Sequence, residues 1–211
     1  MAHPPLKRGL YLITPDDPDP ARLLARVQRV LPFASCLQLR NKVMDAATLH
    51  IAGAMLRGAC HDVGVPFIVN DDAHLAAELH ADGVHLGEDD GDIAAARALL
   101  GDAAIIGVSC YDDLQRARTL AAQGADYIAF GAFFPSPTKP NARRASLDLL
   151  RDSAAFGLPR VAIGGITPDN ATPLIDAGAD LLAIISGVFD APDPVAAARA
   201  YLSLFRRTRI T

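Results

Sequence analysis

Three short stretches of the chain nearly repeat one another: Ala81-Asp82-Gly83, Gly124-Ala125-Asp126 and Gly178-Ala179-Asp180. Each follows apolar residues at helical spacing and precedes a short apolar run, so each reads as a tight return from helix to buried strand. A glycine in such a return supplies a left-handed or closely packed backbone. The alternation runs the length of the chain. Strand-like runs fall at residues 9–14, 35–40, 66–70, 83–86, 105–109, 126–131, 160–164 and 181–185, and amphipathic stretches at 20–31, 46–60, 93–100, 114–123 and 194–205 lie between or after them. Asp92, Asp112 and Thr167-Pro168 stand where helices should start, and Gly124 and Gly178 where helices should stop.

Runs such as Ile105-Ile106-Gly107-Val108 and Leu181-Leu182-Ala183-Ile184-Ile185 are apolar on both faces, as strands of a parallel sheet covered on both sides must be. Eight βα units of this kind close into an α/β fold, a single (β/α)8 TIM barrel. Such barrels need at least ~200 residues, so the 211 residues here leave little room for insertions. One domain is expected over residues 1–211, with 1–8 as an N-terminal extension and 206–211 as a tail that reads as a solvated helix end. An open doubly wound sheet is the alternative, but the glycine fingerprint expected after its first strand is absent.

Composition narrows the function. No apolar run approaches the ~20 residues of a membrane-spanning helix, and a formal net charge of -4 argues against a duplex-binding surface. Cys36, Cys60 and Cys110 are far apart and lack Cys-x-x-Cys spacing, which points to neither a disulfide framework nor a zinc knuckle. With no export signal at the start of the chain, a cytoplasmic protein is expected. The six histidines include no pair at i, i+4 and read as structural or surface residues. The partners expected are small molecules, neither nucleic acid nor membrane, with a homo-oligomer left open. Only three residues are lysine, Lys7, Lys42 and Lys139, so the position of each carries information.

In a barrel of this type the site is built from the loops that follow the strands, and here those loops are chemically rich. The second strand ends in Gln38-Leu39-Arg40-Asn41-Lys42, the third in Asn70-Asp71-Asp72, and the fourth in His85-Leu86-Gly87-Glu88-Asp89-Asp90. The fifth ends in Ser109-Cys110 and the sixth leads to Ser136-Pro137-Thr138-Lys139. Gly164-Gly165 and Ile185-Ser186-Gly187 close the last two. Asp71 and Asp90 end neighbouring strands and could share one Mg2+, which takes one or two carboxylates and completes its shell with water and phosphate oxygens. Arg40, Lys42 and Lys139 add fixed positive charge, a combination suited to a diphosphate. Asp72 and Asp89 read as helix caps. The glycines after the seventh and eighth strands admit a phosphate close to the backbone, with hydroxyl donors from Ser136 and Thr138 opposite. Two phosphate-bearing sites follow, one requiring a metal ion and one not.

Taken in order, Gln38-Leu39-Arg40-x-Lys42, Asn70-Asp71, the run from Ala81 to Gly87 continuing to Asp90, Gly107-x-Ser109, Ser136-x-Thr138-Lys139 and Ala162-Ile163-Gly164-Gly165-Ile166 resemble the thiamine phosphate synthase family over nearly the whole chain. The resemblance implies a transferase that joins a hydroxymethylpyrimidine diphosphate to a thiazole phosphate, giving thiamine phosphate and releasing diphosphate, with Mg2+ as cofactor. It implies that Gln38, Leu39, Arg40, Asn41, Lys42, Asn70, Ser109 and Lys139 hold the pyrimidine diphosphate. By the same resemblance Arg40, Lys42, Ser109 and Lys139 form the catalytic set, and Asp71 and Asp90 ligate the metal. Ser136, Pro137, Thr138, Gly165, Ile185 and Ser186 are the implied thiazole phosphate site. Three departures stand out. Asn41 replaces an acidic residue, Ser136 replaces threonine, and a histidine is missing near Cys110-Tyr111, which leaves that loop without a general base. Two rival readings are a thiazole tautomerase or non-catalytic relative of the TenI type, which lacks the full diphosphate set, and a lyase using Lys42 or Lys139 as a Schiff base.

Overall fold

The computed structural model describes residues 6–135 and 143–207. Eight parallel strands form a closed barrel in chain order, with the eighth pairing back on the first: β1 (Gly9–Ile13), β2 (Ala34–Leu39), β3 (Phe67–Asn70), β4 (Gly83–Leu86), β5 (Ile105–Tyr111), β6 (Tyr127–Gly131), β7 (Arg160–Ile163) and β8 (Leu181–Ile184). The helices are α1 (Pro20–Val30), α2 (Ala46–Val63), α3 (Ala73–Glu78), α4 (Ile93–Leu100), α5 (Leu114–Ala122), α6 (Leu147–Asp152), α7 (Thr172–Asp176), α8 (Ser186–Phe189) and α9 (Pro194–Arg207). The (β/α)8 expectation is met. Among the described residues no helix is long and apolar enough to cross a membrane.

The two-residue period of a strand sorts its side chains into two cores. Leu10 and Leu12 of β1 join the large cluster between sheet and helices, whereas Tyr11 and Ile13 join a smaller cluster inside the barrel with Cys36, Ile68, Ile105 and Tyr127. Leu6 packs against that inner cluster, and Arg8 donates to the Ala179 carbonyl and pairs with Asp180 at 3.3 Å. The end of the expected N-terminal extension is thus fastened to the floor of the barrel.

The near-repeated returns have a shared purpose. Asp82 accepts the Phe67 amide at 2.8 Å, Asp126 the Ile106 amide at 2.7 Å and Asp180 the Arg160 amide at 3.0 Å. Each aspartate, one or two residues inside its own return, accepts an amide from the first or second residue of the preceding strand, so that no donor at the strand's entry is left unpaired.

Three local expectations need correction. Helix α5 is capped by Asp113, whose carboxylate accepts from the Arg116 amide, and not by Asp112. Thr167-Pro168 starts no helix, because the Asn170 side chain takes the Thr167 amide at 2.8 Å and closes a turn, so α7 begins at Thr172. Asp72 caps α3 as expected, but α4 is capped by Asp92 and not by Asp89.

Candidate active site

The rim begins with a threonine that extends the sheet beyond β1. Thr14 is fully buried; its hydroxyl donates to the Arg40 carbonyl at 2.7 Å and accepts from the Arg40 amide at 2.9 Å. One side chain thereby fixes both main-chain groups of Arg40, where a strand neighbour would otherwise do so. The guanidinium lies 3.9 Å from Asp16, whose carboxylate accepts the Lys42 amide at 2.8 Å. Asn41 donates its amide to the Asp17 carbonyl and accepts from the Val43 and Met44 amides, so its side chain shapes the loop. Hydrogen bonds from Arg22 hold the buried Asp17 carboxyl below the usual carboxylate range, and Arg26 pairs with it too. Leu39 turns its side chain into the outer core, while the Lys42 side chain is exposed.

Asp71 follows β3 with a positive φ of 65°, its amide bonded to the His85 carbonyl at 2.8 Å. Its carboxyl meets that of Asp90 and also Asn70. Partial burial, the hydrogen bond to Asp90 and the charge of Asp90 push it up to about 6. Asp90 is held by the Gly87 amide at 2.9 Å. An open cleft of about 430 Å³ between α3 and α4 reaches both carboxylates. Two carboxylates in contact are unfavourable unless a proton or a cation lies between them. Among the described residues no cluster of three or more His, Cys, Asp or Glu side chains forms a metal cage. Two carboxylates suffice for Mg2+ when water and phosphate supply the remaining oxygens, so this donor set fits the ion.

Below the rim a polar chain crosses the barrel interior. Gln38 Nε2 donates to the Tyr11 hydroxyl at 2.8 Å, which lies 2.7 Å from the Tyr127 hydroxyl. That group is 2.9 Å from His85 Nδ1, and His85 Nε2 is 2.9 Å from Ser109 Oγ. Burial lowers the His85 imidazole to about 4 and raises both phenols well above their ordinary value, so all three rings are neutral at pH 7. Arg116 reaches back from α5 to the Ser109 carbonyl at 2.8 Å and the Gly87 carbonyl at 3.2 Å, tying the ends of β4 and β5 together.

On the far side, Gly165 has φ 63°, and a side chain there would collide with the Phe134 and Pro135 carbonyls. The glycine is therefore demanded by the packing of two rim loops, whatever else it admits. Asn170 holds the Gly165 carbonyl at 3.1 Å and Tyr201 holds the Ile166 carbonyl at 2.9 Å. Ile185 is half-buried beside the inner cluster and Ser186, at the start of α8, is exposed. Ser136, Pro137, Thr138 and Lys139 lie outside the described residues.

The thiols offer little for covalent chemistry. Cys36, Cys60 and Cys110 are buried and free, and burial pushes the Cys60 and Cys110 thiols up to about 12. What remains is a rim of fixed charge around a carboxylate pair, above a hydroxyl set by a neutral imidazole.

A family model described as thiamine monophosphate synthase matches residues 10–188. The chain belongs to the thiamine monophosphate synthase family. It is 61% identical over 198 residues to a thiamine-phosphate synthase of Xanthomonas campestris pv. campestris (strain 8004), covering 94% of this chain and 96% of that one. Identity is 60% over 200 residues to that of Azoarcus sp. (strain BH72), covering 94% and 97%. A solved thiamine phosphate pyrophosphorylase from Pyrococcus furiosus superposes with a TM-score of 0.84 at 32% identity, covering 97% and 98%.

As a member of this family the chain is an enzyme, a transferase. Its barrel gathers Gln38, Arg40, Asn70, Asp71, Asp90 and Ser109 at or just below one rim. Thr14, Tyr11, Tyr127 and Arg116 have no place among the expected site residues, and His85 is expected only as a structural or surface residue. The only signal for them is their placement: polar or aromatic residues at inward positions of otherwise apolar strands, or one turn beyond a strand end.

Proposed function

We propose that this enzyme condenses 4-amino-2-methyl-5-hydroxymethylpyrimidine diphosphate with a thiazole phosphate, giving thiamine phosphate and diphosphate. The observation that carries the reading is the Asp71–Asp90 pair beside Arg40: contacting carboxylates and a positioned guanidinium suit a cation-bound diphosphate. High identity over nearly the whole chain to proteins named thiamine-phosphate synthase supports it.

In this reading Asp71 and Asp90 hold Mg2+, which when bound neutralises charge on the diphosphate. Arg40 and Lys42, with Lys139, stabilise the negative charge that develops as the methylene carbon–oxygen bond breaks and its electron pair leaves with the diphosphate. The aminopyrimidine delocalises the cation left on the methylene carbon, and the thiazole nitrogen then forms the new carbon–nitrogen bond. No protein nucleophile is needed, in keeping with the three buried thiols. Ser109 positions the pyrimidine ring, and the loops ending in Gly165 and Ser186 face the thiazole phosphate together with Ser136, Pro137 and Thr138. Holding both substrates in register supplies much of the acceleration. A cytoplasmic setting suits three free cysteines.

The test is an assay for thiamine phosphate from the two purified substrates, with Mg2+ and with EDTA. Formation that depends on both substrates and on Mg2+ is expected. Absence of product under all conditions would overturn the reading, and unchanged turnover in EDTA would overturn the metal assignment.

A further inference from the structure

The buried chain from Gln38 to Ser109 has a direction. The amide nitrogen of Gln38 can only donate, and it points at the Tyr11 hydroxyl. Tyr11 therefore accepts there and spends its single hydrogen on Tyr127, 2.7 Å away. Tyr127 then has its own hydrogen for His85 Nδ1 at 2.9 Å. An accepting Nδ1 places the imidazole hydrogen on Nε2, which faces Ser109 Oγ at 2.9 Å. Ser109 accepts, and its hydroxyl hydrogen is left for the mouth of the barrel. A doubly protonated imidazole breaks this count, because Tyr127 would then accept from His85, and whichever phenol donates to the other, one of the two phenol hydrogens would be left in the interior without an acceptor, an expensive arrangement.

Packing keeps the chain in place. His85 pairs in register with Gly107, and Gly107 with Tyr127. A side chain at Gly107 would occupy the Tyr127 ring, so the glycine is the space that lets the phenol lie inside the barrel. The imidazole stacks on that ring with centroids 5.5 Å apart and planes 19° apart, and Tyr11 meets it edge-on at 5.9 Å and 77°. Gln38, Tyr11, Tyr127 and His85 are all buried, so water does not compete for their hydrogens.

We propose that Tyr127 and His85 are positioning residues, which fix the imidazole as the Nε2–H tautomer and so turn the Ser109 hydroxyl into an obligate donor. At this point the site then selects a substrate atom that accepts a hydrogen bond, such as an aromatic ring nitrogen, over one that donates. The proposal rests on the reading of Ser109 as a group that faces the pyrimidine. It adds the origin of that group's polarity, on the far side of the barrel interior.

The first test needs no variant and no substrate. In 15N-histidine-labelled protein at neutral pH, the His85 resonances should show a protonated Nε2 and an unprotonated Nδ1; the reverse pattern, or a doubly protonated ring, overturns the proposal. This readout stands apart from whether the enzyme makes thiamine phosphate. The second test is a cycle. Tyr127→Phe should lower kcat on the order of tenfold to a hundredfold while KM for the thiazole phosphate is unchanged. In a Ser109→Ala background the same substitution should change kcat by less than about twofold, because its effect passes through a hydroxyl no longer present. An equal loss in both backgrounds would show that Tyr127 acts only through packing.

Discussion

At the floor of the barrel Asp82, Asp126 and Asp180 repeat one task, each accepting an amide from the first or second residue of the preceding strand. At the rim four strands end in four different ways: β1 runs into Thr14, β2 into Arg40, β3 into the Asp71 turn and β5 into Ser109 and the Arg116 clamp. All three floor aspartates accept backbone amides, and Asp126 and Asp180 also pair with arginines, so their charge is used within the fold. At the rim Asp71 is pushed up to about 6 against Asp90. A stabilising end and an electrostatically unrelieved end are thus built on the same strands, and the proposed function puts its ligand at the unrelieved one.

Substitutions at the two ends should separate activity from stability. The largest effect is expected at the rim, where Asp71→Asn or Asp90→Asn should lower the Mg2+-dependent kcat by about a hundredfold to a thousandfold. Thermal melting of the same variants should show a Tm equal to or above that of the parent, since the carboxylate contact is relieved. A matching fall in Tm would place these residues with the floor.

Next in size is Gly107→Ala, which lies between the two ends. The added methyl meets the Tyr127 ring, and overpacking of this kind costs about 1–3 kcal/mol. Chemical denaturation should show that loss, accompanied by a lower kcat because the polar chain through Tyr127 is displaced.

At the floor, Asp180→Ala leaves the Arg160 amide without its acceptor and removes the pairings to Arg8 and Arg160. A loss of about 1–2 kcal/mol is expected in denaturant unfolding, with kcat unchanged at temperatures where the variant is folded. A kcat loss exceeding that of the rim variants would erase the distinction.

The smallest effect concerns pH. An acid whose folded value is raised binds its proton more tightly in the folded state, so its contribution to stability is greatest at low pH. That contribution is lost as pH rises from the unfolded value of 3.8 through about 6. Above about 6 Asp71 is ionised against Asp90, and Mg2+ should then raise Tm. Below that value the increment should shrink, as differential scanning calorimetry with and without Mg2+ would show. A constant increment across this range would detach the ion from Asp71.

The strands were legible because a parallel strand covered on both faces must be apolar throughout, as in Leu181-Leu182-Ala183-Ile184. The rim charges were legible because a barrel places strand ends together. Two helix starts were misplaced for local reasons: Asp112 and Asp113 are adjacent candidates of identical chemistry, and the Asn170 side chain closes the turn that Thr167-Pro168 opens. The chain from Gln38 to Ser109 was hidden for a different reason. Tyr11 and Tyr127 lie 116 positions apart, each reads as a core aromatic by itself, and only closure of the barrel brings their hydroxyls together. For the same reason His85 read as a structural residue when it supports Ser109 directly.

Calorimetric titration of inorganic diphosphate into the enzyme, with and without Mg2+, addresses the rim most directly. Binding that requires Mg2+ is expected for the parent and for Asp180→Ala, and should lose its Mg2+ dependence in Asp71→Asn and Asp90→Asn. Parent-like, Mg2+-dependent binding in both rim variants would contradict the assignment of the carboxylate pair to a cation-bound diphosphate.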